Sequence, residues 1–131
     1  MANEIRISFS MAVQNGNLAE SFSSSGRFDQ SSAVSTGGVV QVGTSTETIS
    51  IGDVQTAGYA TFRSLSTATA GTAYVAIGHY DGTNLHEFAQ LQRNDAIGPV
   101  RLAPSLTIGM VAYTATDYTS DIGVQYLVLG E

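Results

Sequence analysis

Tyr74-Val75-Ala76-Ile77-Gly78-His79-Tyr80, then Asp81-Gly82-Thr83-Asn84, then Leu85-His86-Glu87-Phe88-Ala89-Gln90-Leu91 is the stretch that decides the class of fold. Two runs of β-compatible residues flank an Asp-Gly turn. Glycine accepts the positive φ of a tight hairpin turn, and aspartate tolerates it better than most residues. On the first run Val75, Ile77 and His79 share one face, and Tyr74, Ala76 and Tyr80 share the other. Strict alternation on the second run sets Leu85, Glu87, Ala89 and Leu91 against His86, Phe88 and Gln90. Apolar residues fall on both faces, so the hairpin is expected inside a sheet covered on one side and partly contacted on the other.

The same two-residue period recurs along the chain. Ile5, Ile7, Phe9, Met11 and Val13 alternate with Arg6, Ser8, Ser10 and Ala12, which predicts a half-buried strand over residues 4–14. Asn15-Gly16 predicts a hairpin, with a return strand over residues 18–22. Ser23-Ser24-Ser25-Gly26 breaks the pattern, and Arg27-Phe28-Asp29-Gln30 resumes it briefly. Residues 31–38 read as a loop. Short strands follow over 38–43, 44–51 and 57–65, with at most one helical turn at 54–57 and a Thr/Ala loop at 66–71. Arg93-Asn94-Asp95 makes a polar turn. Residues 96–103 carry Pro99, which belongs at a strand start or a sheet edge because it cannot donate to a ladder. Strands over 108–115 and 122–129, joined by a turn at 117–121, complete the chain. Many short strands and no sustained helical period predict an all-β fold, a single-domain antiparallel β-sandwich of jelly-roll-like form. Residues 1–30 are readable as an arm or interface element of that domain.

Composition narrows the function. A chain of 131 residues can bury about 70% of its unfolded surface, enough to fold without metals or disulfides. Five cations, all Arg, face eleven carboxylates, for a formal charge of −6. Binding to nucleic acid or to an anionic membrane needs clustered cations, so neither is an expected partner. The absence of Cys removes disulfides, thiolate metal sites and a thiol nucleophile. The start, Met1-Ala2-Asn3-Glu4-Ile5-Arg6, has no basic flank leading into an apolar run, so the expectation is a protein made in a cytoplasm and not exported by an N-terminal signal. Charged residues are only 12% of the chain, while Ser and Thr are abundant. Ordinary sheet surface and a surface built to pack on other copies both fit that balance.

Candidate chemistry is sparse. His79 and His86 flank the central turn beside Asp81 and Glu87, but two imidazoles without a third ligand do not make a zinc site. Asp117 and Asp121 lack the alternating acids and distal Glu of a calcium loop. Many serines are present without a nucleophile-elbow pattern, and the acids are scattered among turns. No catalytic residue, metal or cofactor is expected. Phe22 and Phe28, with Arg27 between them, form either a small cluster under a loop or a contact surface. Ile5 and Ile7 on the first strand are the other candidate contact residues. Tyr80 and Tyr118, each near a loop, are candidate platforms for a sugar or receptor.

Several stretches also resemble a known class. These are Met1-Ala2-Asn3-Glu4-Ile5-Arg6-Ile7, Asn15-Gly16-Asn17-Leu18 leading into Ser21-Phe22-Ser23, and Gly52-Asp53-Val54-Gln55-Thr56-Ala57-Gly58-Tyr59-Ala60-Thr61-Phe62-Arg63-Ser64-Leu65. The last is Arg101-Leu102-Ala103-Pro104 followed by Val124-Gln125-Tyr126. In outline they resemble small β-rich virion structural proteins of tailed bacteriophages. The resemblance implies a non-enzymatic protein that coats or completes the particle, such as a jelly-roll decoration protein on the capsid. It would bind its own copies as a homo-oligomer, a trimer among the open numbers, together with the major capsid protein or other virion proteins. A receptor- or carbohydrate-binding module of a tail or fibre is equally compatible. The expected location is the virion, assembled in the host cytoplasm.

Overall fold

The computed structural model describes residues 4–30, 35–49, 57–67, 73–103, 106–114 and 121–130. Every regular element among them is a β-strand: β1 (Glu4–Asn15), β2 (Leu18–Asp29), β3 (Ser35–Val42), β4 (Glu47–Thr48), β5 (Ala57–Ser64), β6 (Ala73–Tyr80), β7 (Leu85–Leu91), β8 (Ala96–Arg101), β9 (Ile108–Thr114) and β10 (Ile122–Gly130).

The central hairpin is the innermost of four nested pairs. β6 pairs with β7, β5 with β8, β4 with β9 and β3 with β10, all antiparallel. This nesting is that of one long antiparallel ribbon folded about the turn at Asp81. Two further antiparallel pairings, β6 with β9 and β5 with β10, divide it into two four-stranded sheets. Their strand orders are β3-β10-β5-β8 and β4-β9-β6-β7. β1 and β2 stand apart as a two-stranded ribbon.

Alternation decides what each sheet buries. On β10 Ile122, Val124 and Val128 point inward, while Gln125 and Leu127 point out. On β9 Met110 and Ala112 are buried and Tyr113 is exposed, stacked at 5.0 Å on Tyr74 of the neighbouring strand. Inward residues of both four-stranded sheets, with Phe62, Ile77 and Met110 the largest, form one hydrophobic cluster. Burying each such side chain is worth about 1.5–3 kcal/mol relative to exposure. The Gly43 carbonyl accepts the Ala112 N–H at 2.8 Å, tying the end of β3 to β9.

The strict alternation expected on β7 fails at one point. Ile77 pairs with Ala89 but Gly78 pairs with Glu87, so Phe88 is an extra residue in a bulge. The slip reassigns faces. Ala89 and Leu91 still oppose the inward Ile77 and Val75, while His86 comes opposite His79 on that same side of the ladder. The bulge also brings the β7 backbone over Gly78. A Cβ there would collide with the His86 carbonyl oxygen and the Glu87 Cα. Backbone cannot swing aside as a side chain can. A Gly78→Ala variant is therefore expected to lose about 1–3 kcal/mol, read as a lower urea midpoint at unchanged slope.

Other boundaries move for pairing reasons. The Ser23-Gly26 break is absent, because β2 runs unbroken opposite β1 from Leu18 to Asp29. Serine fits an exposed ladder position, and the partner strand supplies the hydrogen bonds. β3 starts at Ser35, inside the stretch read as a loop, because Thr36 and Gly37 are held opposite Val128 and Leu127. Of the strand expected over 44–51, Glu47–Thr48 pair with β9, and residues 50 and 51 fall outside the described residues. Pro99 does lie on an edge strand, β8, where Ala60 pairs with Val100 but Phe62 with Ile97, leaving Gly98 and Pro99 in an irregularity. The turn expected at 54–57 falls outside the described residues except for Ala57, which is in β5. The turn at 117–121 falls outside them except for Asp121.

Candidate interaction surface

The β1–β2 ribbon follows from its turn. Gly16 holds φ +59° at the first position of the two-residue Gly16-Asn17 loop, and this sets Asn15 opposite Leu18. Every later pair follows in step: Met11 with Phe22, Phe9 with Ser24, Ile7 with Gly26, Ile5 with Phe28. Residues opposite one another share a face. One face therefore collects Ile5, Ile7, Phe9, Met11, Val13, Leu18, Phe22 and Phe28. The other carries Ser8, Ser10, Ser21, Ser23, Ser25 and the charged groups at the base.

Only the base of the apolar face is covered within the chain. Ile5 is 9% exposed and Ile7 half-buried. The Phe28 ring lies 5.0 Å from Tyr59 of β5, over whose ring Arg101 sits at 4.9 Å. Ile7 lines a groove with Tyr59, Thr61, Leu127 and Leu129, the outer face of the β3-β10-β5-β8 sheet. Gln30 Nε2 donates to the Gly130 carbonyl at 2.9 Å and fastens the end of β2. Beyond the base the face is uncovered. Met11 is 63% exposed and Phe22 58%, and Phe9, Val13 and Leu18 are also exposed. Phe9 and Phe22 touch edge-to-face at 5.9 Å.

The expectation of a half-buried β1 therefore holds only at Ile5 and Ile7. Phe22 and Phe28 sit on a strand, Phe28 at the base and Phe22 far along the arm, and both are exposed. Arg27 is on the opposite, polar face, directly across from Arg6. Two like charges face to face are unfavourable, and Glu4 Oε1 lies between them, in contact with Arg6 Nε and 3.5 Å from Arg27 Nε. These exposed pairs contribute little stability; their role is to neutralise the crossing.

Two features of this surface were not singled out from the pattern. Met11 and Leu18 belong to it as fully as Phe22 does, and the signal was present in the turn, whose length fixes which residues share a face. On the sheet, Val39 and Leu127 are exposed apolar residues. Strand alternation places them outward but cannot say that nothing covers them.

The second candidate region is the tip of the central hairpin. Asp81 Oδ1 accepts the N–H groups of Thr83 and Asn84 at 2.8 and 2.7 Å, and Oδ2 accepts His86 Nε2 at 2.8 Å. The Tyr80 hydroxyl donates to the Gly82 carbonyl at 3.1 Å. The His79 and His86 rings are stacked 6.4 Å apart. His79 Nδ1 accepts the Thr107 N–H at 3.2 Å, so its proton resides on Nε2. Among the described residues no three acidic or imidazole groups converge as a metal site. Tyr118 lies outside the described residues.

The backbone bond from Asn84, then the His86 bond and the Thr83 bond, hold the Asp81 carboxyl far below its ordinary value of 3.8. With the folded value below the unfolded one, its contribution to the turn is complete above pH 3.8. That contribution is lost only as pH falls through the depressed folded value. Asp81→Ala is expected to speed amide exchange at Thr83 and Asn84 while leaving the inner strands protected. In the native chain those two amide signals are expected to stay fixed through the ordinary carboxylate range and to move only below it.

No family model, curated protein or solved structure matches this chain.

Proposed function

We propose that this protein is a structural piece of a tailed-phage particle. It would be a jelly-roll β-sandwich that decorates and stabilises the capsid by binding the shell and its own copies. It does so without a reacting group, metal or cofactor. The fold part of the reading rests on the nested pairing. Eight strands paired as 3–10, 4–9, 5–8 and 6–7 and parted into two four-stranded sheets are what a jelly roll of two Greek keys would have, and they support that reading. Folds of this kind serve many functions, so the role must come from the surface.

The observation that carries the role is the uncovered apolar face of the ribbon. A two-stranded ribbon of twelve-residue strands reaches about 40 Å. An isolated ribbon is marginal in water and calls for a hydrophobic face packed on something. Here Phe9, Met11, Val13, Leu18 and Phe22 are presented together on an arm fastened at one end. Exposed contiguous apolar surface of this kind marks contact with another protein. The resemblance to virion structural proteins and the low charge point to particle assembly as the setting.

The test is co-sedimentation with emptied shells of the phage that encodes the chain. Saturable binding to shells, lost when the ribbon's apolar face is made polar, is expected. Failure to bind such shells would remove the capsid role.

A further inference from the structure

We propose that the ribbon of one copy lies across the outer face of the β3-β10-β5-β8 sheet of a second copy, with Glu20 set against Arg63. This rests on the assembly reading above and names the partner surface. Three observations lead to it.

First, that sheet face already takes the ribbon's base within one chain, where Phe28 lies on Tyr59 and Ile7 lines the groove beside Leu127. The two surfaces fit chemically. Second, the groove does not end at the base. It continues past Leu127 to a second depression lined by Thr61, Arg63, Ala96 and Gln125, open to solvent. Exposed Val39 flanks Gln125 across the ladder. A chain's own ribbon leaves this part of the sheet bare.

Third, the charges match. Glu20 is opposite Val13 and is the one carboxylate on the ribbon's apolar face. Among the described residues it has no ion pair, and neither does exposed Arg63, which stands between Gln125 and Ala96 on the sheet. They do not meet within one chain. From Phe28 to Glu20 the strand runs about 26 Å, which carries the carboxylate well away from the ribbon's contact with Tyr59. A lone carboxylate in an apolar contact face costs affinity unless the partner supplies a cation, which gives the pair control of register. An arm laid on a neighbour's sheet can repeat from copy to copy, and such a contact closes into a ring, or into a reciprocal pair, when the symmetry allows.

The chain has no Cys, so single cysteines report unambiguously. Glu20→Cys and Arg63→Cys proteins, each otherwise intact, are mixed and treated with a short bismaleimide. The expected product is the mixed 20–63 dimer, in excess over both homodimers. In parallel, Glu20→Arg is expected to weaken self-association at least ten-fold, and adding Arg63→Glu to restore it. If the native protein assembles but the 20–20 dimer dominates, ribbons pack on one another and the proposal is wrong. It is equally wrong if assembly persists with no 20–63 product and no rescue by the double swap. A native protein that stays monomeric removes the assembly reading itself.

Discussion

A Met11→Ser/Phe22→Ser variant is expected to stay folded and to lose self-association by about a thousand-fold. The two residues are cross-strand partners at the middle of the ribbon's apolar face, and each exposes more than half of its surface. Neither belongs to the hydrophobic cluster to which both four-stranded sheets contribute. Substitutions outside such a core usually change stability by no more than about 0.5 kcal/mol. Phe22 also touches Phe9, so loss of that ring contact adds about 1 kcal/mol at most, confined to the arm. In an assembled state the same two side chains would be central anchors. Truncating an anchor costs about 2 kcal/mol or more, so the pair costs about 4 kcal/mol, three decades in Kd. The measurements are the urea midpoint of the monomer and the association constant from light scattering. A large fall in the midpoint with unchanged association would reverse the roles assigned to ribbon and core.

Phe62→Ala is expected to have the opposite signature. Phe62 is fully buried on β5, with Tyr126 of β10 and Ile97 of β8 opposite it on either side. Its ring is the largest buried side chain in the cluster. Removing it deletes transfer free energy and leaves a cavity that two flanking strands cannot collapse to fill. Such Phe→Ala changes cost about 3–5 kcal/mol. Against a total stability of about 5–15 kcal/mol for a domain, that is enough to leave much of the protein unfolded in mild denaturant. The check is the urea midpoint against the native chain. A loss below about 1 kcal/mol would mean the site is loosely packed, contrary to its burial.

The class of fold was open to reading because its signals are local. Alternation at 75–77, 110–112 and 122–128 and the Asp81-Gly82 turn needed no tertiary knowledge. The Asn15-Gly16 signal marked a hairpin but not its register: Asn15 and Gly16 as the two loop residues would set Met11 opposite Glu20, whereas the loop is Gly16-Asn17, which sets Met11 opposite Phe22 and Ile5 opposite Phe28. The bulge at Phe88 was hidden, because it depends on how the β7 backbone approaches Gly78 and not on any residue pattern. The serine run 23–25 misled for a related reason. Its low apolar content resembles a loop until a paired strand is placed beside it. Above all, period-two spacing on β1 cannot distinguish a face that meets the core from one that meets a partner. Ile5 and Phe9 look alike in sequence, yet Ile5 is covered and Phe9 is not. The candidate contact residues Ile5, Ile7, Phe22, Arg27 and Phe28 thus spread over a covered base, an exposed arm and a polar reverse face.

Sedimentation equilibrium of the native protein over a thousand-fold range of concentration bears most directly on whether this molecule works by contact with its own kind. The predicted result is a reversible shift from the 13.7 kDa chain to a discrete multiple of it. A single species at 13.7 kDa throughout, with the ribbon face still in water, would contradict the account.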